Sequence, residues 1–473
     1  MNIPASQLIA HLPPLTTQPI YLVGGSIRDL LIGEQEIKDV DLLMPCGSED
    51  VARAFAGAID GSFFFLDEGR KITRVIKHTE HDAFQFDFTN YEGVDLNADL
   101  GRRDFTINAM AVDLRELLET KALSGLIDLF NGQEDIRKRL IRVTKPEVLD
   151  EDPLRLLRAV RFAATLGFTI EEKTVEQIRQ RAQLLAKSSP ERVRDELFLI
   201  LSEKNAERHL TRMDSLGLLP RIFPELALLR GFAPGQYHAH DVLTHSVKTA
   251  DYIDTVLDEL DKTTPERAPA LRERLEEHLE RGVPRKAALR FACLLHDIGK
   301  VDSYSRDENG QIHFYGHDNL GAEKAKDVCR RLRLSRDTES LVTKVIKNHM
   351  RLFNLSAPGG PSRNALFRYC RDLGDAVVES LLLAQADARA TSEIMPKERF
   401  TDTGQTSGVI LDYYYGKYLK AKAKPLVTGE DLIKLGFKPG PRFREILDQV
   451  REQQAEGALK NRQEALDSLG QMQ

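Results

Sequence analysis

The chain has 473 residues, 41% of them hydrophobic and 30% charged, the composition of a water-soluble protein with roughly two to four domains. No apolar run approaches the ~20 residues of a membrane-spanning helix, so no membrane partner is expected. The net charge of −6 does not advertise a nucleic-acid binder; such a partner must meet a local basic surface. Cys46, Cys293, Cys329 and Cys370 are widely spaced and form no Cys-x-x-Cys pair, which argues against a disulfide scaffold. The opening stretch lacks a basic segment followed by an apolar core, so no secretory signal is expected and a cytoplasmic location fits.

In chain order, residues 20–23 read as a short buried strand, Gly24-Gly25 as a turn, and Ser26 to Ile32 as a helix that Gly33 ends. Asp39 to Leu43 reads as a second strand, with further strands at Ser62–Leu66, Ile72–Ile76 and Phe84–Phe88. The first 145 residues are therefore mixed α and β. From Pro153 the pattern becomes nearly continuous helix. Residues 226–239 read as a linker on account of Gly231, Pro234 and Gly235. A second helical block spans about 240–395, and its charged insert at 257–286 predicts a solvated helical hairpin. A polar, Lys-rich stretch (396–427) and the breaker Gly436-Phe437-Lys438-Pro439-Gly440-Pro441 precede a last amphipathic helix.

Asp39 and Asp41 stand two apart on a strand, so both carboxylates share one face while Val40 and Leu42 point to the core. Such a pair can bridge two Mg²⁺ ions for an in-line phosphoryl displacement; an exposed strand edge with two acids is the plainer alternative. Upstream, Gly24-Gly25-Ser26 places free backbone N–H groups at a helix start, suited to phosphate, with Arg28 one turn in. In Arg102-Arg103-Asp104-Phe105-Thr106-Ile107-Asn108, Arg103 can contact triphosphate and Asp104 or Asn108 a sugar hydroxyl. In Glu151-Asp152-Pro153-Leu154-Arg155-Leu156-Leu157-Arg158, Asp152 is either an N-cap or, with Arg155 and Arg158, a reader of a base edge.

These elements, with Ser189-Pro190-Glu191-Arg192-Val193-Arg194-Asp195-Glu196-Leu197 as a neck motif, resemble the class II tRNA nucleotidyltransferase and bacterial poly(A) polymerase family from Tyr21 to about Leu201. The resemblance implies an α+β fold class: a polymerase-β-like head (1–150), an all-α neck (151–230), a further domain (231–395) and a helical tail (396–473). It implies Mg²⁺ on Asp39 and Asp41, CTP or ATP held by Gly25, Arg28 and Arg103, and base selection by Asp152, Arg155 and Arg158. The RNA 3′-hydroxyl would attack the α-phosphate and release pyrophosphate. Asp87, in Phe86-Asp87-Phe88, is the candidate third carboxylate. Members that add the full CCA carry a long flexible segment before the Arg-Arg-Asp motif. Here the span Thr89–Gly101 has 13 residues, so the resemblance implies an enzyme that adds C, C and possibly A, the missing segment being associated with members that add CC and stop.

His245, His296-Asp297, His317, His349 and Asp387 are spread over the second helical block. Imidazole with carboxylate suits Mn²⁺, Fe²⁺, Ni²⁺ or Mg²⁺, and the lack of cysteine argues against structural zinc. His296-Asp297 follows the apolar Phe291–Leu295, where a charged pair needs partners. The pattern resembles the HD phosphohydrolase superfamily over roughly 240–390. It implies all six residues as metal ligands, metal-assisted hydrolysis of a phosphate ester, and Lys300 at the phosphate. His238 and His240 are read as peripheral.

A tRNA partner would lie along Arg155, Arg158, Arg161, Arg179, Arg181, Arg192 and Arg194 and the basic run 330–336, giving affinity without sequence readout. Two other readings are a poly(A) polymerase, and a phosphohydrolase whose head only binds RNA.

Overall fold

A computed structural model of the chain describes residues 6–34, 37–69, 71–80, 82–232, 240–392 and 401–470. Two compact units emerge: Met1–Ser189 with Ser215–Arg221, and Pro190–Asp214 with Ile222–Gln473. The stretch read as the neck is thus shared between them.

The first unit is built on a mixed sheet of β1 (Tyr21–Val23), β2 (Asp39–Met44), β3 (Ser62–Asp67), β4 (Ile72–His78), β5 (Ala83–Asn90), β6 (Met110–Asp113) and β7 (Ile127–Asp128). The strand order is β3-β4-β5-β2-β1-β6-β7, with β2 and β5 parallel and the other pairs antiparallel. Alternation does the sorting. Val40 and Leu42 on β2, and Phe84, Phe86 and Phe88 on β5, are buried on one face. Helix α1 (Gly25–Ile32) follows β1, and helix α2 (Ser48–Ile59) covers that apolar face. Phe55 of α2 meets the Phe86 ring edge-on at 5.0 Å and the Phe88 ring at 5.7 Å. Each fully buried phenylalanine contributes roughly 1.5–3 kcal/mol. Gly33 ends α1 in the left-handed region (φ 98°), its N–H reaching the carbonyls of Asp29 and Leu30.

Helix α3 (Leu96–Leu100) closes the short span after β5. Helix α4 (Arg155–Thr165) begins two residues later than an N-cap at Asp152 would place it. The Asp152 carboxylate still accepts from the Leu154 N–H at 3.2 Å, so it caps the turn that leads into the helix.

The second unit is helical. Its centre holds α5 (Val242–Asp258), α6 (Arg285–Leu295), α7 (His317–Arg331), α8 (Arg336–Asn348) and α9 (Val377–Ser392). Helix α5 packs on α9 and α6. The insert at 257–286 is not the solvated helical hairpin that its charge predicts. Leu260, Leu271, Leu275 and Val283 are buried, and Glu277 ends the helix Ala268–Glu276 before a hairpin of His278–Glu280 with Val283–Pro284. Two of its arginines are internal partners: Arg285 donates to Glu379 at 2.6 Å, and Arg274 lies 3.4 Å from the same carboxylate. A second hairpin, Ser305–Arg306 with Ile312–His313, also interrupts the expected helix. Glycines with positive φ (Gly282 and Gly310, both 76°) sit in the two turns, and ladders this short leave no period to read.

Of the expected linker, residues 226–232 are described: they include the end of a helical turn (Pro224–Ala227) with Leu226 and Leu229 buried. Residues 233–239, and with them His238, lie outside the described residues, as do 393–400. The tail forms its own small core of Val427, Leu432, Ile446, Val450, Ala465 and Leu469.

Candidate active sites

The sheet register assembles the first site. Asp41 stands opposite Asp87 on the parallel neighbour, and Asp39 stands opposite Gln85, so all four side chains share the face away from Phe55. Arg74 on β4 stands opposite Asp87 and forks onto it, Nε to Oδ1 at 2.6 Å and Nη2 to Oδ2 at 2.7 Å. Burial raises the Asp41 carboxyl to about 6; Arg103 opposes this, while Asp87 and Asp39 add to it. Burial likewise raises Asp39, against the pull of Arg74. Two carboxylates that burial first, and neighbouring acids second, make resist ionisation fit a divalent cation, which would supply the missing positive charge.

Gly24 is forced by this geometry. Its φ is +70°, and a Cβ there would fall 2.8 Å from Asp41 Oδ2 and 2.9 Å from an Arg103 nitrogen. Ser26 stitches the turn to the strand: its hydroxyl donates to the Asp39 carbonyl and accepts from the Asp41 N–H, both at 3.1 Å.

A polar chain runs from this turn into α4. Arg28 is held by Asp29 at 2.8 Å and 3.0 Å and donates to Asn108 Oδ1 at 2.9 Å. Asn108 donates to Asp104 at 3.0 Å, and Arg158 forks onto Asp104 Oδ2 at 2.9 Å and 2.8 Å. Burial disfavours the charged Asp104, but Arg158 and the donors from Asn108 and Phe105 outweigh it and lower its carboxyl to about 2. Both Asp104 oxygens are thus engaged within the protein. In this structure Asp104 holds Arg158, rather than presenting a free acceptor to a sugar. The Phe162 ring lies beneath three guanidinium groups, those of Arg161 (3.6 Å), Arg28 (5.2 Å) and Arg158 (5.3 Å).

Asp104→Asn tests this chain. Its depressed carboxyl contributes stability that is present above about pH 4 and lost as pH falls towards 2. The shift from 3.8 to about 2 corresponds to about 2 kcal/mol. The variant is expected to unfold at lower urea concentration at pH 7, with the gap to wild type closing in acid.

Arg103 leans on Asp99 at 3.4 Å, and Asp99 also accepts from the Glu92 N–H at 2.9 Å. An open cleft of about 580 Å³ is lined by Thr89, Asn90, Asp99, Arg102, Arg103 and Arg155. The span from Tyr91 to Asp95 is short and tied down, since Asp95 also caps α3 at the Ala98 N–H (2.8 Å).

The second site gathers the six residues that the sequence scatters over more than a hundred positions. Ligand atoms of His245, His296 and Asp297 lie within 4.8 Å of one another, as do those of His296, His349 and Asp387, and of Asp297, His317 and His349. All but His317 are buried. His296, His317 and His349 each place Nδ1 against the carbonyl three residues back, at 2.7, 2.8 and 2.7 Å. That hydrogen bond fixes the proton on Nδ1 and turns the Nε2 lone pair inward. His317 Nε2 and His349 Nε2 then face each other at 3.2 Å. Burial, reinforced by neighbouring His296, lowers His349 to about 4, so a bridging proton is disfavoured at neutral pH. Two opposed lone pairs require a cation between them, and the donor set fits one. Lys300 pairs with Asp297 Oδ2 at 2.6 Å. His240 belongs to none of these groups.

Several arginines read as an RNA surface also pair within their unit. Arg181 binds Asp150, Arg179 binds the Ser215 carbonyl, and Arg330 and Arg331 bind Glu339 and Glu225. Arg74, Asp99 and Phe162 carry no motif, whereas Asp29 closes the run Gly24-Gly25-Ser26-Ile27-Arg28-Asp29; for Arg74 the only signal was its place on the strand next to Asp87.

A carboxylate-bearing mixed sheet with a glycine turn, followed along the chain by a helical His/Asp centre, fits a nucleotidyltransferase head and an HD domain, two families that generally use divalent metals. Family models bear this out: the poly A polymerase head domain matches residues 20–142, a probable RNA and SrmB-binding site of polymerase A matches 167–229, and the HD domain matches 242–391. The A-adding tRNA nucleotidyltransferase of Deinococcus radiodurans is 34% identical over 462 residues, 96% of each chain. The CC-adding tRNA nucleotidyltransferase of Geobacter sulfurreducens is 29% identical over 100% of this chain and 96% of its own. The Bacillus stearothermophilus CCA-adding enzyme, solved with CTP, shares the fold at a TM-score of 0.62 and 24% identity, covering 99% of this chain and 97% of its own. The chain belongs to the tRNA nucleotidyltransferase family and is an enzyme. Among the described residues no helix is long and apolar enough to cross a membrane.

Proposed function

We propose that this enzyme adds two C residues to the tRNA 3′ end from CTP, using Mg²⁺ held by Asp39 and Asp41, and leaves the terminal A to a partner enzyme. Bound metal would activate the RNA 3′-hydroxyl and offset charge on the leaving pyrophosphate. The backbone of Gly24 and Gly25, with Arg28 and Arg103, holds the triphosphate. Asn108 and Asp104 keep Arg28 and Arg158 in place, and Arg158, Arg155 and Asp152 select the base. The observation that carries the CC reading is the short, tied-down span between β5 and α3. Switching from C to A requires the pocket to rearrange, and this span is too short to supply a long lever.

One observation favours a second reading, addition of A alone: the A-adding Deinococcus relative is more similar than the CC-adding one from Geobacter. Both readings share a pocket with one fixed specificity. Transcripts ending at the discriminator base, and transcripts ending in CC, are incubated with CTP, ATP and Mg²⁺. Two C residues on the first and nothing on the second is the expected result. Addition of A to the second alone establishes the other reading, and completion of CCA on both overturns the argument from the span.

The second site is proposed to hydrolyse phosphate esters with Mn²⁺, Ni²⁺, Fe²⁺ or Mg²⁺ on His245, His296, Asp297, His317, His349 and Asp387. The buried ligand set and the inward-turned imidazoles support this reading; Lys300, which pairs with Asp297, is proposed to meet the substrate phosphate. A cytoplasmic location is part of the same proposal.

A further inference from the structure

The carboxylate row does not stop at Asp87. Asp41 stands opposite Asp87, Asp87 opposite Arg74, and Arg74 opposite Phe64 on the edge strand β3. Side chains at paired positions share a face, so Phe64 lies on the catalytic face, three strand spacings or about 14 Å from Asp41. Phe64 is 38% exposed. Its neighbours differ: Phe63 and Phe65 point to the other face, where Arg53 lies over them at 4.1 Å and 5.6 Å. Half-buried Ile72 and Ile76 flank Arg74 on β4. Arg74 is itself spent on Asp87 and Gln85. The surface from Asp87 outward is therefore an apolar band ending in an exposed aromatic ring.

On the other side of Asp41, towards β1, lie the groups that the proposed function gives to the triphosphate. There the Gly24 turn and Arg103 crowd the carboxylate so closely that a single Cβ would collide with both. With that side given to the triphosphate, the face of β5, β4 and β3 is the side left for the end of a polynucleotide that brings its 3′-hydroxyl to Asp41.

We infer that the catalytic face of β4 and β3 is the seat of the unpaired 3′ nucleotides of the RNA primer, with Phe64 as a base-stacking residue. This inference rests on the nucleotidyltransferase reading of Asp39 and Asp41. Single-stranded ends are held by stacking on exposed rings, because every base has a π-face and no sequence readout is needed. Phe64 touches no reacting atom; it sets where the primer lies.

The test uses the full-length enzyme and a tRNA transcript lacking CCA, with 2-aminopurine at the discriminator position. Phe64→Ala is expected to raise the KM for tRNA by roughly 5- to 100-fold, the loss of one stacked base. The KM for CTP and the phosphohydrolysis of bis(p-nitrophenyl) phosphate stay at wild-type values, and Phe64→Trp restores the tRNA KM. The 2-aminopurine emission, quenched on binding to wild type, stays bright on Phe64→Ala. Wild-type tRNA KM together with unchanged quenching in Phe64→Ala overturns the inference. Asp41→Asn, assayed in parallel, separates the two claims. An inactive Asp41→Asn beside a wild-type Phe64→Ala refutes the stacking seat alone. An active Asp41→Asn refutes the underlying site.

Discussion

Replacing Asp41 with asparagine is expected to lower nucleotide incorporation into tRNA by about 10³-fold or more, with phosphohydrolysis unchanged. The amide keeps the shape and loses the charge on which a divalent cation depends. Asp87 cannot take its place, because Arg74 already claims both of its oxygens. The same change is expected to stabilise the metal-free protein. Burial raises Asp41 to about 6 in the folded state against 3.8 when unfolded, so folding is progressively opposed as pH rises from about 4 to 6. Asparagine removes that opposition, a gain of up to about 2 kcal/mol once partial exposure is discounted. In EDTA at pH 7 the variant should unfold at higher urea than wild type, and the two should converge near pH 4. An inactive but less stable variant would show that Asp41 is part of the structural core rather than a strained functional group.

Replacing His296 with alanine is expected to lower hydrolysis of bis(p-nitrophenyl) phosphate by about 10³-fold while CTP incorporation stays at the wild-type rate. His296 joins two of the three ligand groups, so its loss opens the centre at the point where they meet. Chelator treatment of wild type should abolish the same activity, and Mn²⁺ or Ni²⁺ should restore it in wild type but not in the variant. Metal analysis should show the variant retaining less transition metal. Loss of CTP incorporation in a folded His296→Ala would contradict two independent sites.

Much of the fold could be read from local pattern. The strands at 21–23, 39–44, 62–67, 72–78 and 83–90 and the helix ended by Gly33 lie within two residues of their expected bounds. Here alternation, a glycine pair and a left-handed C-cap are local signals with a local cause. The charged insert at 257–286 misled for an equally physical reason. Charge usually means solvent, but Arg274 and Arg285 find carboxylates on Glu379 and Asp375, about a hundred residues away in sequence. In the run at 330–336, Arg330 and Arg331 pair with glutamates that spacing could not reveal.

The sequence by itself determined the chemistry types and their local geometry. Two carboxylates two apart on a strand share a face whatever else the chain does, and Gly24-Gly25-Ser26 makes a turn wherever it sits. What only the tertiary structure decided is which distant groups complete each site. Parallel pairing of β2 with β5 puts Asp87 opposite Asp41, and antiparallel pairing of β4 brings Arg74 to neutralise it. The packing of α5 to α9 draws His245 and Asp387 to 3.0 Å across 142 residues. Register and helix packing are set by the summed burial of many apolar side chains, so no local window of the sequence contains them.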